Sequence, residues 1–202
     1  EDNFDVDLEE FEKHITSRTK AVIINSPNNP SGKVYSQENI QGILEMAEKH
    51  DFLVIADDIY GALNYTDNKK AICSYEKSPD RVITLYSYSK DYSMTGLRLG
   101  HVIAQKDIIA AMRRVNEAVA FTINAQAQRG GICAIENRKD IQKGLYDEYY
   151  KRVMYIYERI QKMNNITCTK PEGTFYVFAN IKDTGIKSMD IWEKILDEAH
   201  VL

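Results

Sequence analysis

Three short apolar runs constrain the fold of this chain more than anything else in it: 21-AVIIN-25, 52-FLVIA-56 and 82-VITLY-86. Each is rich in β-branched residues and lacks polar alternation, as a buried strand does. Each also stops abruptly. The first runs into 26-SPNNPSG-32, whose two prolines and glycine cannot continue a strand or a helix. The second ends in Asp57 and Asp58, and the third in the stretch from Ser87 to Lys90. Between the first two, Ser36 is placed to cap a helix carrying Ile40, Ile43, Leu44 and Ala47 on one face. Strand, helix, strand, connection and strand make the βαβ rhythm of a mainly parallel α/β sheet with flanking helices.

Ahead of the first run, Asp7 and Glu10 frame a short capped helix with Leu8, Phe11 and Ile15 at helical spacing. After the third run, 99-LGHVIA-104 reads as a further strand and 107-DIIAAMRRVNEAV-119 as a helix. From Asp140 to Met163 the residues Leu145, Tyr149, Val153, Ile156 and Ile160 form one helical stripe, whose tyrosines read as packing. A strand is expected at 174-TFYVFANI-181 and a helix at 188-SMDIWEKILDEA-199. The expected division is a larger unit over residues 1–139, and the linking helix with a smaller α/β unit over 140–202.

Composition narrows the classes. With 44 % hydrophobic and 28 % charged residues, the chain has ordinary globular usage. A formal charge of −4 with no concentrated basic face argues against nucleic acid as a partner. No apolar run is long enough to span a bilayer, so no membrane role is expected. The opening EDNFDVDLEE is acidic, the reverse of a targeting peptide. Cys73, Cys133 and Cys168 are far apart, odd in number and without a CxxC pair, which points to a reducing cytoplasm and to no metal site. The chain lacks an initiator methionine and stops at 199-AHVL-202, where an apolar run begins; it reads as a segment of a longer polypeptide.

In open parallel sheets, ligands gather outside the carboxyl ends of the strands. Here those ends carry Asn29, then Asp57 and Tyr60, then Ser87, Ser89 and Lys90, with Arg98 close behind. Each residue alone has an ordinary explanation: a solvated lysine, a turn aspartate, a salt-bridging arginine, an NP turn. Together they suit one ligand, a phosphorylated heteroaromatic aldehyde. A carboxylate holds a ring nitrogen protonated, a phenol and an amide share a ring oxygen, hydroxyl and guanidinium take the phosphate, and the amine forms a Schiff base. That ligand is pyridoxal 5′-phosphate. The GK of NNPSGKV does not make a phosphate-binding P-loop, because Pro27 and Val34 stand where glycine and Ser or Thr are required.

Four motifs carry a family resemblance: 26-SPNNPSGKVY-35, 56-ADDIYGAL-63, 87-SYSKDYSMTGLRLGHVIA-104 and 171-PEGTFYVF-178. In this order they resemble the class I/II aminotransferases of the fold-type I pyridoxal-phosphate enzymes. The resemblance covers essentially the whole chain, and the third motif is the most specific.

The resemblance implies roles. Lys90 is similar to the family's cofactor lysine, which also moves the proton between the substrate Cα and the cofactor. Asp57 resembles the partner of the pyridinium nitrogen. Tyr60 and Asn29 resemble the partners of the ring oxygen, and Ser87 and Arg98 resemble phosphate ligands. Asp58, where the family often has glutamate, reads as structural; Gly96 reads as relief for crowded backbone beside the cofactor. The stretch 121-FTINAQAQ-128 resembles the one that reaches a partner subunit's cofactor, so a homodimer is implied. The implied activity is amino-group exchange between an L-amino acid and a 2-oxo acid. A carbon–sulfur β-lyase, or a cofactor-sensing domain of a transcriptional regulator, would carry the same motifs. The family's phosphate-gripping helix start and ring-stacking aromatic would lie upstream of residue 1, and its substrate-carboxylate arginine downstream of residue 202, so this segment alone is expected to be inactive.

Overall fold

The computed structural model describes residues 4–75 and 80–201. The three apolar runs form β1 (Ala21–Asn25), β2 (Leu53–Asp57) and β3 (Val82–Ser87). β1 pairs with β2 and β2 with β3, both in parallel. β4 (Gly100–Ile103) lies antiparallel beside β3, giving the sheet order β1-β2-β3-β4. A parallel return needs a crossover long enough to carry a helix across the sheet. The connection to β4 holds only the four-residue helix α3 (Tyr88–Asp91) and one 3-10 turn, so the chain comes straight back. The expected fold class, a mainly parallel sheet with flanking helices, is the one observed.

The caps fall where the sequence places them. Asp7 Oδ1 accepts from Glu10 N at 3.0 Å to start α1 (Leu8–Lys13), and Ser36 Oγ accepts from Asn39 N at 3.1 Å to start α2 (Gln37–His50). Each such cap satisfies an amide the helix itself leaves unpaired. The apolar face of α2, with Ile40, Ile43, Leu44 and Ala47, is buried against Ile24, Val54, Ala56 and Val82 of the sheet. Leu8, Phe11 and Ile15 pack against the same cluster. Burying each large side chain of this kind contributes about 1.5–3 kcal/mol. The opposite sheet face is open: Ile23 is 70 % exposed, and its register partner Ile55 is only half-buried.

Beyond β4 come the helices α4 (Lys106–Val119), α5 (Ala125–Glu136), α6 (Arg138–Ile160) and α7 (Ser188–Ala199), with an irregular segment between the last two. The long helix expected from Asp140 to Met163 starts two residues earlier and stops at Ile160. Tyr149 of the stripe meets Phe175 at 5.1 Å, and Tyr146 and Tyr150 lie edge-on to Tyr65 at 5.3 and 5.2 Å, whereas Tyr155 is 60 % exposed. The run at 199–202 breaks at His200, whose left-handed backbone closes α7; Leu202 lies outside the described residues.

The strand expected at 174–181 is not there. Thr174 has φ +64°, which interrupts an extended run. The segment makes isolated bridges, Gly173 with Asn64 and Asn180 with Thr167, in place of a ladder. Its amides go to loops: Glu172 N and Gly173 N both donate to Gly32 O at 2.9 Å, and Thr174 N donates to Leu63 O at 2.9 Å. Gly32 has φ +71°, and a Cβ there would sit 3.1 Å from Pro171 Cβ; a Cβ on Gly173 would reach 2.6 Å from Pro27 Cβ. Two glycines thus let this segment lie directly on the loop that follows β1.

Candidate active site

Parallel pairing sets the carboxyl ends of β1, β2 and β3 side by side. Asn25 and Asp57 are register partners, and Asn25 Nδ2 donates to Asp57 O at 3.0 Å. Asn25 Oδ1 in turn accepts from Asn29 N at 2.7 Å, so one side chain fixes the start of the proline loop against the end of β2. Asn29 Nδ2 then reaches Tyr60 Oη in a long 3.5 Å contact. Tyr60 is almost fully buried, at 2 % exposure, and Tyr60 O accepts from Leu63 N at 2.8 Å in a 3-10 turn.

Lys90 rides on α3, which begins immediately after β3. Ser87 Oγ accepts from Ser89 N at 3.1 Å and caps this turn. Tyr88 N donates to Leu99 O at 3.1 Å, tying the turn to the chain entering β4. Lys90 Nζ lies 5.4 Å from the centroid of the Phe175 ring, and that ring meets Tyr60 edge-on at 5.7 Å. Among the described residues, no carboxylate pairs with Lys90. Arg98 is exposed, with φ +54°, and its Nη1 donates to Thr95 O at 2.9 Å. A non-glycine residue in that region costs energy and persists where its surroundings fix it. Among the described residues, Arg98 also has no carboxylate partner.

The aspartates differ in setting. Asp57 is on the open sheet face, and burial pushes its carboxyl above the ordinary range, partly opposed by the Ile59 amide. Asp58 points to the other side and is 8 % exposed. Burial pushes its carboxyl up to about 6 against the hydrogen bond from Tyr86, with the Asp57 charge adding to the rise. Asp91, next to Lys90, is pushed up to about 7, chiefly by burial; it accepts from Ala62 N at 3.3 Å, which links α3 to the turn after Tyr60. Asp58, Asp91 and Tyr86 line a polar cleft of about 260 Å³ behind the sheet ends.

Of the residues the sequence singles out, Asn29 and Tyr60 are in direct contact, and Lys90 reaches them through Phe175. Asp57 joins through Asn25. Ser87 and Arg98 belong to one tight loop, in which Thr95 Oγ1 donates to Ser89 O at 3.1 Å and Ser87 is the register partner of Gly100. Ser89 enters this turn through its backbone, its N donating to Ser87 Oγ and its O accepting from Thr95 Oγ1. Gly96 departs from the expectation: a Cβ there would meet nothing within 4 Å, so no crowding calls for glycine. Sequence reasoning did not single out Asn25, Asp91, Phe175 or Tyr176. The only signal for the last two was the motif PEGTFYVF; Tyr176 Oη lies 3.1 Å from Tyr60 Oη.

An amine and a guanidinium without carboxylate partners among the described residues, with a hydroxyl, a phenol, an amide and a carboxylate at the same strand ends, fit an anionic heteroaromatic aldehyde. Pyridoxal phosphate has complementary groups: an aldehyde, a phosphate, a ring oxygen and a ring nitrogen.

Fold and site together define an α/β protein built to hold such a compound. Over residues 1–202 the chain matches the family described as aminotransferase class I and II, and it belongs to that family. It is 34 % identical to an aspartate aminotransferase of Thermotoga maritima over 199 residues, 98 % of this chain and 51 % of that protein. It is 32 % identical to aromatic-amino-acid aminotransferase 2 of Thermococcus litoralis over 205 residues, 100 % of this chain and 52 % of that protein. Among solved structures, an aromatic aminotransferase from Pyrococcus horikoshii superposes with a TM-score of 0.93 at 33 % identity, covering 99 % of this chain and 54 % of that one. The chain therefore spans about half the length of the curated relatives it matches.

Proposed function

We propose that this chain carries the reactive lysine and its supporting residues in a pyridoxal-phosphate-dependent aminotransferase, which exchanges an amino group between an L-amino acid and a 2-oxo acid. The observation that carries the reading is the placement of Lys90: an amine at a strand end, free of carboxylate partners among the described residues, held over Phe175 beside the Tyr60–Asn29 pair. Bound pyridoxal phosphate supplies the aldehyde for covalent capture of the amine and the electron sink for the substrate Cα.

The residues of the chain supply the rest. Lys90 Nζ takes the proton from the substrate Cα and returns one on the other side of the exchange. Asp57, as a carboxylate at the end of β2, holds a proton at the ring nitrogen by its negative charge. Tyr60 Oη and Asn29 Nδ2 meet the ring oxygen, while Arg98 and Ser87 hold the phosphate by charge-assisted hydrogen bonds. In this reading residues 1–139 hold the cofactor, and residues 140–202 bring Phe175 and Tyr176 to its edge. The enzyme works as a homodimer on free amino acids and 2-oxo acids, apart from nucleic acid and membrane. Its place is a reducing cytoplasm, in keeping with Cys73, Cys133 and Cys168 forming no disulfide among the described residues. Among the described residues no helix is long and apolar enough to cross a membrane.

The test is a titration of the full-length protein with pyridoxal phosphate, followed by borohydride reduction and mass-spectrometric mapping. A visible absorbance band and a single pyridoxyl label on Lys90 are expected. Labels scattered over several lysines would sink the assignment.

A further inference from the structure

Tyr60 and Tyr176 share a frame that fixes where their hydroxyls meet. Tyr60 opens the turn that ends at Leu63, and Leu63 O accepts from Thr174 N at 2.9 Å. Thr174 is fully buried, and its Oγ1 accepts from Tyr176 N at 3.1 Å. The Tyr176 ring meets Tyr60 edge-on at 5.9 Å and leans on Phe175 at 4.6 Å. The 3.1 Å separation of the two hydroxyl oxygens is therefore set by the backbone on both sides.

A hydroxyl has one proton to give and two lone pairs to fill. Asn29 Nδ2 occupies one lone pair of Tyr60 Oη. If Tyr60 gave its proton to Tyr176, it would have none for a ligand and one lone pair unfilled. If Tyr176 gives its proton to Tyr60, both lone pairs are filled and the Tyr60 proton is free. We infer that Tyr176 is a positioning residue of this site: its hydroxyl donates to Tyr60 Oη, which reserves the single Tyr60 proton for a ligand oxygen.

This role rests on the aminotransferase reading, in which that oxygen belongs to the cofactor ring. A donor there stabilises the anionic oxygen and weakens its hold on the neighbouring protonated nitrogen contributed by Lys90. Loosening the donor raises the pH at which that nitrogen loses its proton.

The experiment compares full-length holoprotein with Tyr176→Phe, Tyr60→Phe and the double variant; phenylalanine keeps the ring packing. Two readouts are taken: the pyridoxyl label on Lys90, and the midpoint pH of the absorbance change of the bound cofactor. Tyr176→Phe is expected to keep the label and raise the midpoint by about half a pH unit, the size of a modest hydrogen bond. Tyr60→Phe should raise it further, and adding Tyr176→Phe to it should change nothing more. An equal shift in both backgrounds, or none in the otherwise native protein, overturns the role of Tyr176. Absence of label on Lys90 in the unsubstituted protein overturns the aminotransferase reading itself, and this role with it.

Discussion

Lys33 and Glu172, 139 residues apart in sequence, meet at 3.2 Å, and the same carboxylate accepts from Val34 N at 3.0 Å. The Lys33 side chain is 11 % exposed and also approaches Asp5 at 3.6 Å. The pair fastens the segment carrying Phe175 and Tyr176 to the loop carrying Asn29. Glu172→Ala strands the Val34 amide and leaves the mostly buried Lys33 ammonium with Asp5 as its remaining carboxylate. It is expected to lower stability by about 1–3 kcal/mol, read as a drop in denaturant midpoint, with Glu172→Gln losing less because it still accepts from Val34.

Asp57→Asn separates capture of the cofactor from turnover. Asparagine keeps the shape of the site but cannot hold a proton at the ring nitrogen by charge. Lys90 should still be labelled, while kcat falls on the order of 100-fold or more. Unchanged kcat would remove Asp57 from the mechanism.

Arg98→Ala addresses affinity. Losing a charge-assisted contact to a phosphate is expected to weaken cofactor binding roughly 10- to 100-fold with a smaller effect on saturated kcat. Equilibrium dialysis against pyridoxal phosphate checks this.

Asp91 carries a pH signature. Its carboxyl is pushed up in the folded state to about 7 from 3.8, so the native protein binds its proton more tightly than the unfolded chain. The stability this gives is full below pH 3.8 and lost as the pH rises through about 7. Asp58, pushed up to about 6, adds a loss of the same sign over a narrower window. Asp91→Asn still accepts from Ala62 N and never charges, so thermal unfolding measured across this range should fall less steeply than in the native chain. An identical pH profile would contradict the assignment.

The strands were legible because each apolar run closes on residues that cannot extend it, and the helix at Ser188–Ala199 because its apolar spacing is strict. Helix α5 was not, since AQAQRGGICAIE offers two glycines and no apolar stripe; its start is fixed by Asn124 Oδ1 accepting from Gln126 N and Ala127 N. The segment after Gly173 looked like a strand because Phe, Tyr and Val favour one. Its conformation was decided elsewhere, by Gly32 O and Leu63 O taking its amides. The same limit hid Tyr176. Lys90, Asp57 and Tyr60 follow strand ends and can be read in line, whereas Tyr176 meets Tyr60 across 116 residues through a loop contact that no periodicity records.

The open face of the sheet has a last consequence. Strand alternation puts Ile23 and Asn25 on the same side as Ile55 and Asp57, through the register that pairs them. A layer that hid the bare isoleucine would also dry the carboxylate two residues farther along the neighbouring strand. Cover on Ile23 and the proton affinity of Asp57 are therefore linked: a layer placed over the one would desolvate the other and raise its affinity for a proton.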